Sequence, residues 1–311
     1  MADPLGANTP PDEMITALPD SGAWRLLQPT RNGGRGLTVD EFVSVVSELA
    51  PLDGSAGWLT AMFNAAAYHI GELGGDVADD VWSGDAKSFV AVCYWSDGLL
   101  NDDGRLSGRW PLVAGCRHAD WLLLSANADG KRCCVLVPRR DADIETTRNE
   151  TGLLAAELSD VTVSGLPVLG RRIVQSPCGP AALVIGAGAA TAVVGAADGV
   201  WRNHVDQVRE RLAASYGTEE VTDRMSSTTE VARAASDIDA AKLQIAQSLH
   251  RTDAARAHRQ AAVRGRDAAD RLLGSSRRHA LDTSDPVTRL WQDVHAACRL
   301  TLRLVDGIDP G

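Results

Sequence analysis

The sequence predicts an α+β protein, mainly helical, in which helices are followed by an antiparallel sheet and then by further helices. Apolar residues recur at helical spacing from about residue 38 to 84 and again from about 180 to the end. In between, short runs of β-branched and aromatic residues alternate with turn residues. With 44% apolar and 23% charged residues, the chain can bury a substantial core. We therefore predict an N-terminal helical part over residues 1–85, an antiparallel β-domain over 86–170 and a C-terminal helical bundle over 171–311.

The N-terminal part contains two helical patterns separated by a turn. The first pattern has apolar residues at Val39, Phe42, Val43 and Val46. After the turn signal Pro51-Leu52-Asp53-Gly54, a second apolar run extends from Trp58 to Ile70. Residues 1 to about 20 are rich in proline and polar side chains, and we expect them to be mobile.

Turn signals divide the middle stretch into strands. The pair Asp129-Gly130 stands between the apolar runs Trp121–Ala126 and Arg132–Val137, which is typical of a β-hairpin. A second turn signal, Asp102-Asp103-Gly104, separates two earlier runs of the same kind. These patterns predict an antiparallel sheet or a small barrel.

The C-terminal part begins with an uncharged run from Ala181 to Ala197 that is mostly alanine and glycine. It falls short of the ~20 apolar residues that span a bilayer, so we predict a buried helix and no membrane partner. Asp285 and Pro286 have the residue types of an N-cap and a first helical position, and they mark the start of the last helix. The helices carry one-sided apolar faces rich in small residues, which favours a homodimer or homotetramer.

Composition excludes several function classes. The formal charge of −10 argues against nucleic acid as a partner, because phosphate binding needs clustered Lys and Arg. The six cysteines are scattered and no signal-peptide pattern opens the chain, so we expect a reduced, cytoplasmic protein without a metal site. Gly186 and Gly188 superficially match the dinucleotide-binding fingerprint, but the third glycine and the further strand–helix units are missing. Motifs of hydrolases and phosphotransferases are also missing from the sequence.

One stretch, Ser107 to Trp121, combines two strand patterns with a small-residue turn at Ala114-Gly115. Unpaired backbone N–H groups at such a turn, beside Trp110 and His118, could hold a flat, hydrogen-bonding heterocycle. The same residues fit an ordinary sheet, with Trp110 as a core aromatic and His118 as a turn residue. The residues alone leave both interpretations open.

This stretch resembles the signature of two-component flavin-dependent monooxygenases, the secosteroid-phenol and aromatic-polyketide hydroxylases that share the acyl-CoA dehydrogenase fold. Four other segments resemble family segments in the same order. They are Gly22–Pro29 followed by Gly33-Gly34, Gly54–Trp58, Ala234–Ala241 and Asp285–Asp293. The resemblance covers most of residues 20 to 306 and implies the acyl-CoA dehydrogenase-like arrangement of helices, β-domain and helical bundle.

The resemblance implies an enzyme that takes reduced FMN or FAD from a separate flavin reductase. Such an enzyme forms a flavin C4a-hydroperoxide and hydroxylates a small aromatic substrate. Trp58 and His69 would line the substrate side, and His295 would be the catalytic base that deprotonates or orients a phenol. By position, the residues that would hold the flavin are Tyr94, Trp95, Ser96, Trp110, Gly115, Cys116 and His118.

The sequence also departs from the family pattern. Val113 and Ala114 stand where the signature often has serine, and the family histidine of the last helix would fall nearer Arg299-Leu300. The loop after the sheet is shortened to Thr151–Ala156. Two alternatives therefore stay open. One is a non-catalytic member of the fold that acts as a partner subunit or ligand binder. The other is an acyl-CoA dehydrogenase-like oxidoreductase, which would need a carboxylate base.

Overall fold

A computed structural model describes residues 11–146, 152–214, 221–251, 254–274 and 284–308. Within them, helices precede and follow one mixed sheet. The N-terminal helices are α1 (Pro11–Ser21), α2 (Val39–Leu49), α3 (Gly54–Leu73) and α4 (Gly75–Trp82). The strands are β1 (Val90–Leu100), β2 (Arg105–Val113), β3 (Trp121–Ala128), β4 (Lys131–Pro138), β5 (Asp143–Thr146), β6 (Ser159–Pro167) and β7 (Ile173–Gln175). The C-terminal helices are α5 (Gly179–Ala214), α6 (Val221–Ser248), α7 (Ala255–Gly274) and α8 (Pro286–Ile308).

The N-terminal helices begin at capping residues and pack closely. Thr38 and Glu41 form a capping box at the start of α2, and the Asp53 carboxylate accepts the Ala56 N–H at the start of α3. The expected mobility of residues 1 to about 20 is wrong for residues 11–20. They belong to α1, where Leu18 is fully buried because its side chain joins the main core. Residues 1–10 and Thr151 lie outside the described residues.

Across the described part of the chain the sheet has seven strands, in the order β5-β6-β2-β1-β3-β4-β7. The predicted hairpin is confirmed, because β3 and β4 pair antiparallel and Asp129 and Gly130 both have positive φ. The expectation of a purely antiparallel sheet is wrong at one pair, since β1 and β3 run parallel. β2 runs opposite to β1, and the chain reverses direction once more at the turn after β2. β3, which lies on the other side of β1, therefore runs in the same direction as β1. Strand β7 pairs with β4, so the sheet extends beyond the predicted limit at residue 170.

The helix α5 lies at the centre of the C-terminal bundle. Its stretch Gly179–Glu210 is long and apolar enough to cross a membrane, but 83% of its most apolar window is buried inside the protein. The buried helix predicted for residues 181–197 is therefore confirmed. Its glycines serve close packing: a Cβ at Gly188 would lie 2.9 Å from the Phe42 ring, and one at Gly186 would lie 2.4 Å from the His258 Nδ1.

The remaining bundle helices follow their sequence patterns. The buried face of α6 consists of Ala234, Ile238, Ala241 and Ile245, whereas Leu249 lies just beyond the helix end. The predicted start of α8 is confirmed, because the Asp285 carboxylate accepts the Val287 N–H at 3.1 Å. All six cysteines fall within the described residues, and each of their thiols is free.

Candidate active site

The regular pairing of β1 is interrupted at Tyr94–Asp97. On the β3 side, Cys93 pairs with Leu124 but Gly98 pairs with Ala126, so β1 carries extra residues between these two pairs. On the β2 side, the paired residues of β1 are Leu99 and Leu100. Bulges of this kind re-aim side chains and are over-represented next to active sites. We call this interruption of the backbone pairing, between Tyr94–Asp97 of β1 and Arg109–Val113 of β2, the strand split.

Trp110 lies buried within the sheet next to the strand split. It is fully buried, and its Nε1 donates to the Ser125 carbonyl oxygen of β3 at 2.9 Å. The ring occupies the space next to two glycines, since a Cβ at Gly98 would lie 2.4 Å from it and one at Gly108 would lie 2.9 Å from it. The prediction that Trp110 holds a cofactor is therefore not supported. Its ring and its N–H group are both used inside the sheet.

Trp95 and Ser96 bridge the strand split with their side chains. The Trp95 Nε1 donates to the Pro111 carbonyl oxygen at 3.1 Å, and the Ser96 hydroxyl donates to the Arg109 carbonyl oxygen at 3.1 Å. Both side chains are half-buried, so part of each faces solvent. The structure thus brings together the two segments that the sequence assigned to the cofactor.

Leu112 gives the end of β2 an unusual backbone shape. Its φ is +60°, a region that residues with a side chain rarely adopt. Its N–H donates to the Asp160 carboxylate at 3.1 Å, and the same carboxylate pairs with Arg109 at 2.7 Å. Strained backbone of this kind persists where surrounding contacts hold it and is common at ligand sites. Sequence reasoning missed Leu112, because leucine gives no local signal for this conformation.

The turn after β2 depends on glycine and on a neighbouring loop. Gly115 has a φ of +65°, and a Cβ there would lie 2.7 Å from both Leu59 and Phe63 of α3. Its N–H donates to the Ala156 carbonyl oxygen at 2.9 Å. The His118 N–H donates back to the Gly115 carbonyl oxygen at 2.9 Å. The expectation of unpaired N–H groups is therefore wrong at these two positions.

Cys116 lies beneath the same turn. Its side chain is fully buried, and burial raises the pKa of the thiol to about 11. A neutral, enclosed thiol offers no contact to a ligand in the strand split. The assignment of Cys116 to a cofactor is therefore not supported.

An aromatic cluster stands beside the turn. The Trp24 ring lies 4.6 Å from the Phe63 ring, 5.2 Å from the Phe89 ring and 5.8 Å from the His118 ring. The His118 imidazole is partly exposed, with its Nε2 atom 3.9 Å from the Glu157 carboxylate. The Trp24 Nε1 is buried and has no acceptor among the described residues. Sequence reasoning did not single out Trp24 or Phe63, because nothing local shows that α3 and the turn meet.

His69 and Tyr94 form a buried pair between α3 and β1. The Tyr94 hydroxyl lies 3.0 Å from the His69 Nδ1, and the His69 Nε2 lies 3.2 Å from the Gln175 carbonyl oxygen. A carbonyl only accepts, so Nε2 carries the proton and Nδ1 accepts from the tyrosine. Burial lowers the pKa of His69 to about 4 and raises that of Tyr94 well above its ordinary value. Both groups are neutral packing residues, and their assignments to substrate and cofactor are not supported.

Trp58 shares a face of α3 with His69, since their separation of eleven residues is about three helical turns. Its side chain is fully buried, as expected for a core residue. However, its Nε1 finds no acceptor among the described residues. Buried N–H groups in proteins are nearly always paired, so this one is a free donor for a bound molecule. Of the two residues predicted for the substrate side, Trp58 therefore has an N–H group without a partner among the described residues, whereas both ring nitrogens of His69 are engaged.

His295 faces the helix α7. Its Nε2 lies 2.7 Å from the Asp270 carboxylate, and the same oxygen accepts the Trp291 Nε1 at 2.7 Å. Asp293, two residues earlier and about 200° around the helix, contacts α3 and the loop after β5 instead. The structure therefore does not bring His295 to the strand split, and its position does not support a catalytic role. Among the described residues, no cluster of His, Cys, Asp and Glu could hold a metal ion.

Comparison with known proteins shows which proteins this chain is similar to. Residues 187–302 match the family model "Acyl-CoA dehydrogenase, C-terminal domain". The chain is 27% identical to the flavin-dependent monooxygenase oxygenase subunit HsaA of Rhodococcus jostii (strain RHA1), over 92% of this chain and 86% of the relative. It is 28% identical to the oxygenase component of an FADH(2)-dependent resorcinol hydroxylase of Rhizobium sp. (strain MTP-10005), over 93% of this chain and 83% of the relative.

The fold agrees with these sequence relationships. The structure superposes on the crystal structure of 3-HSA hydroxylase from Rhodococcus sp. RHA1 with a TM-score of 0.83 at 26% sequence identity. The superposition covers 94% of this chain and 86% of the other.

Proposed function

We propose that this chain is the oxygenase component of a two-component flavin-dependent monooxygenase; it has the acyl-CoA dehydrogenase fold and is homologous over most of its length to such oxygenase subunits. It uses reduced FMN or FAD from a separate reductase and hydroxylates an aromatic or polycyclic small molecule. The observation that carries this proposal is the strand split, where the two segments assigned to the flavin by the sequence signature meet.

The residues of the strand split fit a flavin. An isoalloxazine ring is flat and apolar on its faces and carries its hydrogen-bonding atoms along its edges. Trp95 offers a half-buried flat ring, Ser96 offers a hydroxyl, and the turn from Ala114 to His118 borders them. The buried, unpaired Trp24 Nε1 is a donor in the adjoining cluster. When bound, reduced flavin activates O₂ so that one oxygen atom enters the substrate ring and the other leaves as water.

The aromatic cluster suits an aromatic substrate. Trp24 and Phe63 are buried and support the half-buried Phe89, whose ring would pack against an aromatic substrate. His118 lies at the edge of this cluster, so we assign to its imidazole the task of accepting a phenol proton. Glu157 lies 3.9 Å from the His118 Nε2 and would stabilise the imidazolium that results.

The acyl-CoA dehydrogenase-like alternative finds less support at this place. Carboxylates do border the strand split, but they are engaged by arginines. Asp97 pairs with Arg132 at 2.9 Å, and Asp160 pairs with Arg109 at 2.7 Å. A carboxylate that already accepts from an arginine is held away from a substrate carbon and is poorly placed to remove a proton from it.

Assembly and location complete the proposal. The small residues of α5 pack inside the chain itself, so the homodimer or homotetramer is proposed from the sequence pattern alone, whereas the six free thiols support a cytoplasmic location. Light scattering on the eluting peak of a size-exclusion column tests the first point, and a monomer would contradict it. Fractionation of the source cells tests the second.

The test of the flavin proposal is an anaerobic titration of the protein with photoreduced FMN and FAD. Trp95→Leu is expected to weaken binding about tenfold or more, because it removes the flat ring at the strand split. Trp201→Leu is the matched control, since the Trp201 Nε1 also donates to a backbone carbonyl at 3.1 Å but lies in the bundle on α5. An O₂ pulse with a panel of phenols should then give a product 16 mass units heavier.

The outcomes separate the proposal from its alternatives. Hydroxylated product from the wild type confirms an oxygenase. If neither reduced FMN nor reduced FAD binds, the proposal is wrong and the non-catalytic alternative is favoured. Desaturation of a CoA thioester would favour the acyl-CoA dehydrogenase-like alternative.

A further inference from the structure

We propose that Asp293 is a positioning residue whose carboxyl group, acting through the loop of residues 152–157, holds the Gly115 turn in place beside the strand split. The effect on flavin binding rests on the proposed function, whereas the mechanical link between Asp293 and the turn is a property of the fold itself.

The first step is the contact between the loop and α8. Asp293 is 3% exposed, and its Oδ1 accepts the Leu153 N–H at 2.5 Å. Gly152 lies directly against the helix backbone, because a Cβ there would be 2.2 Å from the Gln292 carbonyl oxygen. Its φ of +108° is also accessible mainly to glycine. The loop therefore docks on α8 through one glycine and one carboxylate.

The second step is the contact between the loop and the turn. The Ala156 carbonyl oxygen accepts the Gly115 N–H at 2.9 Å, and the Glu157 carboxylate faces His118. Leu153 and Glu157 both have positive φ, at 53° and 47°. Such conformations are strained and persist only where surrounding contacts impose them. The loop would therefore relax, and withdraw its acceptor from Gly115, if its anchor on α8 were lost.

The third step is that the same carboxyl group fixes the other side of the turn. The first residue of α3 lies against the other carboxyl oxygen, since a Cβ at Gly54 would lie 2.7 Å from the Asp293 Oδ2. Gly54 begins α3, and further along that helix Leu59 and Phe63 press on Gly115. Asp293 thus orients both the loop above the turn and the helix below it. A buried acid is costly to keep, and this one lies where the Leu153 N–H needs an acceptor and the start of α3 packs against it.

The experiment compares Asp293→Asn with Asp198→Asn. The asparagine keeps the size of the side chain but replaces one oxygen by an NH₂ group, so that either the Leu153 N–H loses its acceptor or the start of α3 meets a new donor. Asp198 is the matched control, because it is also a buried acid, paired with Arg202 at 2.6 Å and Lys242 at 2.9 Å, and it lies on α5. Amide hydrogen exchange is followed by mass spectrometry in peptides that cover residues 111–118 and 152–158. We expect about tenfold faster exchange of both peptides in Asp293→Asn and wild-type rates in Asp198→Asn.

Gly152→Ala provides a second variant that breaks the same docking from the loop side. Both Asp293→Asn and Gly152→Ala should raise the dissociation constant of reduced flavin about tenfold. Asp198→Asn should lower the thermal midpoint of the protein but leave this dissociation constant unchanged. Wild-type exchange of residues 111–118 in a folded Asp293→Asn protein would overturn the inference. If Asp293→Asn does not fold, Gly152→Ala decides by the same criterion. If the wild type binds no flavin, the proposed function fails, and the exchange measurement still decides the role of Asp293.

Discussion

The strand split and the C-terminal bundle are built from opposite kinds of backbone. Around the strand split, Leu112, Leu153 and Glu157 have positive φ, and β1 bulges where it would otherwise pair. In the bundle, α5 runs as one regular helix whose alanines and glycines pack closely against neighbouring helices. Strain at a binding site must be offset by stability elsewhere. The regular bundle supplies that stability, and Asp293 on α8 links it to the irregular part.

The largest difference between the two regions in stability and flavin binding should come from replacing one glycine in each region by alanine. Gly115→Ala places a side chain at a φ of +65° and within 2.7 Å of Leu59 and Phe63, so we expect a loss of about 2–4 kcal/mol in stability. Gly186→Ala in α5 meets the His258 Nδ1 at 2.4 Å without backbone strain and should cost about 1–3 kcal/mol. Urea unfolding measures both effects. Reduced-flavin binding should be lost only in Gly115→Ala, and equal binding in both variants would contradict the role of the turn.

The next largest effect concerns His118. His118→Gln should lower kcat about 100-fold for a phenol that the wild type hydroxylates, because the variant loses the group that accepts the phenol proton. The dissociation constant of reduced flavin should change little, which separates proton transfer from cofactor binding. A kcat within threefold of the wild type would show that another group takes the proton.

Acid should weaken both regions through one buried histidine in each. Burial lowers the pKa of His69 beside the sheet to about 4 and that of His258 in the bundle to about 4, from an ordinary value of 6.5. The unfolded chain binds the proton first as pH falls, so the stabilising contribution is present above 6.5 and is lost towards 4. We expect a loss of roughly 3 kcal/mol for each histidine.

Urea unfolding at several pH values between 7 and 4 measures how the free energy of unfolding changes with pH. The groups that face these rings are uncharged: Tyr94 and the Gln175 carbonyl at His69, and Ser248 at His258. His69→Gln and His258→Gln should each flatten the pH dependence. An unchanged slope in both variants would mean that other groups control acid unfolding.

Asp293 should make the protein less stable as pH rises, whereas the two histidines make it less stable as pH falls. Burial, with Asp53 nearby, raises its pKa to about 7, while Arg289 lowers it. The folded protein therefore holds this proton more tightly than the unfolded chain, and its contribution to stability is lost as pH rises through about 7. In Asp293→Asn this part of the pH dependence should be missing, whereas Asp198→Asn should retain it.

The smallest effect is expected at His295. Its ring faces Asp270 on α7, so His295→Gln should change kcat by less than about threefold. This variant is the bundle counterpart of His118→Gln, and steady-state assays compare the two directly. A large loss of kcat in His295→Gln would restore the catalytic role that its position in the fold does not support.

Several features were determined by the sequence itself, because they depend on residues close together in the chain. Helical periodicity predicts α2, the uncharged run Ala181–Ala197 predicts α5, the Asp129-Gly130 pair predicts the hairpin, and Asp285 with Pro286 marks the start of α8. These rules involve spacings of a few residues, where backbone preference and capping decide the outcome. The order of the family segments along the chain also pointed to the acyl-CoA dehydrogenase fold.

Only the tertiary structure decided which of the predicted site residues are already engaged by partners inside the fold. Trp110 enters the core because a carbonyl of β3 and two glycines receive it, and His69 is satisfied by Tyr94 and β7. His295 turns towards α7, while Asp293 on the same helix holds the loop beside the turn. Each of these outcomes depends on partners far away in sequence. The physical reason is that burial and hydrogen-bond pairing are settled by which elements meet, and no local pattern records that meeting.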